Sequence, residues 1–159
     1  MRVLPICPLQ AGYSVEPDDG ISAVKLDGGA SRRERVSDGN VAIINVAWHL
    51  TADQFNLLSG FHRNWRRTLE PFLAGLIMES AALELHESSF VPNTFRLTGK
   101  NGPSYAVSAQ LEVVPLDIYL DPDTDPGGAY AMLYELYGAQ AWRIVNELDL
   151  LVNRDLPHA

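Results

Sequence analysis

Hydrophobic and polar positions change period several times along this chain, and each change marks an element. From Val41 to Leu50 they alternate. Ala42, Ile44, Val46, Trp48 and Leu50 form a uniformly apolar set, and Val41, Ile43, Asn45, Ala47 and His49 a mixed one. Period two predicts a strand whose apolar set faces the core and whose mixed set faces water or another subunit. The period then lengthens. Phe55, Leu58, His62 and Trp65 recur at steps of three or four, with Phe61 at the edge of the stripe. That spacing predicts an amphipathic helix over 51–68.

Its ends carry the matching chemistry. Thr51-Ala52-Asp53-Gln54 is a capping box, in which the threonine hydroxyl accepts from the Gln54 amide and the Gln54 side chain reaches back to the Thr51 amide. Asp53 complements the helix dipole in the first turn, Arg63, Arg66 and Arg67 complement it near the end, and Pro71 stops the helix.

Alternation returns in the second half. The segment 72–90 is rich in Ala, Leu, Met and Glu, which favours helix, but Leu83 and Leu85 alternate with Glu84 and His86 between turn residues. Two short strands are predicted. Thr94–Thr98, a turn over 99–103 and Tyr105–Val114 read as a hairpin, with Tyr105, Val107, Ala109, Leu111 and Val113 on one face.

The flanks differ in character. Residues 1–20 contain Pro5, Pro8, Gly12, Pro17 and Gly20 and read as an extended arm, lying on its own domain or on a neighbouring subunit. A short hairpin follows, 21–26 and 31–36 around the turn Asp27-Gly28-Gly29. Residues 115–128 are acidic and rich in Pro and Gly, which predicts a linker. Residues 129–152 then predict one long helix, with Leu133, Tyr137, Ile144, Leu148 and Leu151 along a stripe that docks a partner or else buries against the β domain. The expected organisation is an arm (1–20), a domain (21–114), an acidic linker (115–128) and a C-terminal helical extension (129–159). The expected class is α+β: a mainly antiparallel, β-sandwich-like domain with one packed helix, plus the C-terminal helix.

Composition narrows the function. A chain of 159 residues, 47% hydrophobic and 20% charged, suits one globular domain with a small appendage. A formal charge of −8 argues against nonspecific nucleic-acid binding by the whole surface. Cys7 is the only cysteine, which excludes an intrachain disulfide and a cysteine metal cage and suits a reducing compartment. No apolar run approaches the roughly 20 residues that span a bilayer, so a soluble chain with no membrane partner is expected.

Catalytic chemistry finds little purchase. Asp121, Asp123 and Asp125 alternate like the start of a calcium loop, but the required glycine and glutamate positions hold Pro126 and Met132. His49, His62, His86 and His158 show no metal-ligand spacing. His49 with Glu84 or Glu87 is the one acid–base pairing that strand packing could create. No catalytic residue, metal site or cofactor is expected, and the chain reads as a non-enzyme.

The charge pattern is more informative. Arg32, Arg33 and Arg35 crowd four positions of an otherwise acidic chain, just after the turn Asp27, Gly28 and Gly29. On a strand, Arg33 and Arg35 share a face and Arg32 joins Glu34 on the other. One reading is a solvated edge protected by charge. The other is a row of guanidinium forks meeting carboxylates of the next subunit, since each copy carries 20 acidic side chains.

Taken in order, these elements resemble a group of small virion structural proteins of tailed bacteriophages, components of the tail or neck. The resemblance spans about residues 4–114. It lies in the proline-rich start leading to Gly12-Tyr13-Ser14, then Leu26-Asp27-Gly28-Gly29-Ala30 and the arginine cluster. It continues through His49-Leu50-Thr51, helix positions Gln54, Phe55, Phe61 and Trp65, then Phe72, Phe95-Arg96 and Val107-Ser108-Ala109-Gln110-Leu111-Glu112-Val113. The chain departs from similar sequences at Ala30, where proline is common, and at Phe61-His62, where a Phe-Tyr pair is. The resemblance implies a non-enzymatic subunit of the tail-tube, terminator or head–tail joining type. It implies assembly into a homo-oligomeric ring or tube in the host cytoplasm, incorporation into the virion, contact with other tail or neck proteins, and DNA at most passing through a lumen. The competing class is a cytoplasmic ligand-binding or regulatory β-domain that docks one protein partner.

Overall fold

A computed structural model describes residues 1–16, 20–25, 30–36, 41–121 and 123–150. The chain divides into two compact units, 1–116 and 117–159. The turn residues Asp27, Gly28 and Gly29, the second turn at 37–40, and Leu151 lie outside the described residues.

The first unit is built on a seven-stranded sheet. Its strands are β1 (Arg2–Val3), β2 (Leu9–Glu16), β5 (Ala42–Leu50), β6 (Phe72–Leu76), β7 (Glu84–Phe90), β8 (Arg96–Asn101) and β9 (Ser104–Val113). The order is β1-β6-β7-β9-β5-β2, with β8 also on β9, and every pairing but β1–β6 is antiparallel. Two short strands, β3 (Ile21–Val24) and β4 (Arg32–Arg35), form a separate hairpin. This is the expected class: α+β, mainly antiparallel, with one packed helix and helical structure at the C-terminal end.

The central strand β5 alternates as its sequence dictates: Ala42, Ile44, Val46, Trp48 and Leu50 are buried and the intervening side chains are not. It pairs along its whole length with β9, whose Val107, Ala109, Leu111 and Val113 enter the same core. The helix α1 (Ala52–Thr68) closes that face with Leu58 and Trp65. Its capping box is formed in both directions, and Leu69 ends it in a left-handed conformation whose N–H donates to the Trp65 carbonyl. Aromatic rings fill the seam: Phe61 and Phe72 meet edge to face at 5.3 Å, Phe90 lies 5.0 Å from Phe72, and His62 stacks on Phe95 at 4.3 Å. Trp48 and Trp65 thus belong to one core.

On its other edge β9 pairs first with β8 and then with β7. Thr94 bridges the gap between them: its hydroxyl accepts from the Gln110 N–H and donates to the Val91 carbonyl. The β8–β9 turn is tighter than expected. β8 runs on to Asn101, leaving Gly102-Pro103 as the turn, and Gly99 marks a register shift instead. The reason is that Gly102, at φ +54°, supplies the positive φ a two-residue turn needs.

The N-terminal segment over 1–16 lies on its own domain, one of its two expected placements: β1 and β2 join the sheet, and the Trp48 Nε1–H donates to the Ile6 carbonyl over 3.1 Å. Two other expectations are corrected. Residues 115–128 are not a plain linker. They hold α2 (Asp117–Leu120) and the start of α3 (Pro126–Tyr137), capped by Asp125 with Pro126 in the first turn. The helix expected over 129–152 is broken. Gly138, at φ +60°, ends α3, and after a 3-10 turn α4 (Ala141–Leu150) begins. The stripe spacing had run straight through a helix-stopping glycine.

Candidate functional site

The β3–β4 hairpin carries the arginine cluster. Its register pairs Ile21 with Arg35, Ser22 with Glu34, Ala23 with Arg33 and Val24 with Arg32. The Val36 N–H donates to the Gly20 carbonyl at its base. Directly opposed residues share a face, so Arg33 and Arg35 stand beside Ile21 and Ala23, while Arg32 and Glu34 stand beside Val24 and Ser22. Every residue of both strands is exposed. Ile21 is 50% exposed, Val24 58% and Val36 70%. A two-stranded ribbon with apolar side chains in water on both faces is marginal alone. Neither Arg32 nor Arg33 has an ion-pair partner among the described residues.

The docking stripe expected near the C-terminus is divided by the break at Gly138. Leu133 and Tyr137 lie on α3, and Ile144 and Leu148 on α4. Leu133 and Ile144 are half-buried, and Tyr137 and Leu148 are more than half exposed. Tyr130 and Trp142 meet edge to face at 5.9 Å across the two helices. Met132, Leu136 and Trp142 are also exposed, and Ala141 is the buried residue among those described in 117–150.

Other candidates resolve into structural roles. The Asp121 carboxylate accepts from the Asp123 N–H and the Asp125 carboxylate from the Gly127 N–H, as turn and cap acceptors. His49 does not meet Glu84 or Glu87 across neighbouring strands. It lies on β5 opposite Ala106 of β9, whereas β7 pairs with β9 only at Leu111–Val113 and with β6. Burial and then the Arg66 guanidinium lower the pKa of His62. His86 is wholly buried; burial lowers its pKa, more than the Glu84 carboxylate and the Val114 backbone raise it.

A groove escaped the sequence reading. Tyr13 of β2 donates its hydroxyl to the Ile77 carbonyl at 2.8 Å and accepts from the Ile77 N–H at 3.2 Å, tying the β2 edge to the chain just beyond β6. Beside this bridge lies a mainly apolar groove of about 590 Å³, bordered by Cys7, Leu9, Val15, Gly75 and Leu83. Its walls come from opposite ends of the strand order, and no local spacing signals such a meeting.

No protein-family model matches the chain, and no match is found among curated proteins. No helix among the described residues is long and apolar enough to cross a membrane.

Proposed function

We propose that this chain is a bacteriophage virion structural subunit of the tail or neck, of the tail-tube, terminator or head–tail joining type, which assembles into a ring or tube through its subunit interfaces. The observation that carries this reading is the β3–β4 hairpin, an arginine-bearing ribbon that its own fold leaves uncovered on both faces. Such an element is ordered most simply by a neighbouring subunit. The sequence resemblance points the same way. In this role the chain is no enzyme and needs no cofactor, and its acidic surface disfavours retention of DNA passing through a lumen. Size-exclusion chromatography with light scattering, followed by negative-stain imaging, tests it: rings or tubes are expected. A monomer at all concentrations that is also absent from purified particles overturns it.

The Tyr13 groove favours a second reading, a cytoplasmic ligand-binding or regulatory β-domain docking a protein partner. At about 590 Å³ it has the size of a small-molecule pocket. A monomer whose Tm rises with an apolar ligand supports this reading against the first.

A further inference from the structure

The outward face of the sheet holds a band complementary to the hairpin. Glu16 of β2 lies opposite Ile43 of β5, Ile43 opposite Glu112 of β9, and Glu112 opposite Ser89 of β7. Two residues before Ser89, Glu87 emerges on the same face, paired across the strands with Leu73. All three glutamates are exposed, and none has an ion-pair partner among the described residues. Apolar surface borders them: Leu85 is 56% exposed, and Leu73 and Ile43 are half-buried. Carboxylates edged by aliphatic side chains thus mirror Arg33 and Arg35 edged by Ile21 and Ala23.

The spacings agree as well. Arg33 and Arg35 are two strand residues apart, about 7 Å. Glu112 and Glu87 are diagonal neighbours on adjacent strands, about 7–8 Å apart. Glu16 stands two strands from Glu112, about 10 Å away, within reach of a long guanidinium stem.

We propose that the Arg33–Arg35 face of the hairpin docks on the Glu16–Glu87–Glu112 band of a second copy of this chain. The proposal rests on the assembly reading above and names its interface. Donor and acceptor are different surfaces, so the contact is heterologous, and repeating it generates a closed ring or an open tube rather than a two-fold dimer. Guanidinium forks on carboxylates set the register, and the aliphatic rims exclude water around them.

Paired charge reversals test this. One variant carries Arg33→Glu and Arg35→Glu, the other Glu87→Arg and Glu112→Arg. All four positions are exposed, so both variants should keep the wild-type circular dichroism. Arg33→Glu alone and Glu112→Arg alone serve if either double variant folds poorly. In sedimentation velocity each variant alone should associate at least about tenfold more weakly than wild type. Mixed in equal amounts, the two should co-assemble, because every hairpin again meets a band of opposite charge. Assembly of the glutamate variant like wild type, or a mixture no better than its components, overturns the interface even if the protein is a virion subunit. Wild type that stays monomeric and is absent from particles overturns the assembly reading as well. Retention of wild type on a phosphate resin that the arginine variant loses, with assembly unchanged, assigns the hairpin to an anion instead and also overturns the proposal.

Discussion

His86 is the side chain whose surroundings contradict its chemistry most sharply. It sits on β7 opposite Ala74, fully buried, and among the described residues neither ring nitrogen has a partner at good hydrogen-bond geometry, the Val114 backbone offering only a weak polar contact. Burial disfavours the imidazolium, and the Glu84 carboxylate and Val114 backbone only partly oppose this, so the folded pKa lies below the ordinary value. The unfolded chain takes up a proton near pH 6.5, where the native protein does not. The associated stability is therefore fully present above that pH and is lost as pH falls from it toward the folded pKa. The melting temperature should fall between pH 7 and pH 5, and His86→Leu should flatten that slope whatever its effect on absolute stability. Coincident slopes for variant and wild type would show that another group sets the pH dependence. His62 is half-buried and shifts in the same direction, so His62→Leu is the control that separates the two.

Among the elements, α1 and β5 are where local sequence and tertiary context agree. The Thr51 cap is a short-range interaction, so Thr51→Ala should cost about 1 kcal/mol in chemical denaturation with an unchanged m-value. Trp65 is 8% exposed and touches His62 and Phe90, so Trp65→Ala should cost about 3–5 kcal/mol. An unchanged melting temperature would place that stripe outside the core. Both elements were legible in the sequence because their signals lie within one turn of helix or one strand. What was not legible depends on non-local register or on one backbone angle. The break at Gly138 leaves the three-and-four spacing intact, and only its positive φ reveals the stop. The Arg32–Arg35 cluster was visible as local charge. Its complement was not, since Glu16, Glu87 and Glu112 are far apart in sequence and meet only through the pairing of β2, β5, β9 and β7.

At the scale of the whole molecule, the two units differ in how much interior each possesses. Residues 1–116 contain every described strand, α1 and the entire hydrophobic core cluster. Among the described residues of 117–150, only Ala141 is buried, while Met132, Leu136, Trp142 and Leu148 stay exposed. Helices of 12 and 10 residues are marginal in isolation and gain stability by packing such surface on the sheet or on a partner. A chain ending at Leu116 should therefore remain soluble and unfold cooperatively, since nothing in its core is removed. Under the proposed assembly role it should be missing from particles, or present without recruiting the component that follows it in assembly. The opposing expectation is that the C-terminal helices cover an open face of the sheet, in which case the shortened chain aggregates. Thermal unfolding by circular dichroism, with light scattering on the same sample, separates the two. A cooperative melt assigns α3 and α4 to docking, whereas aggregation or a non-cooperative melt assigns them to the fold.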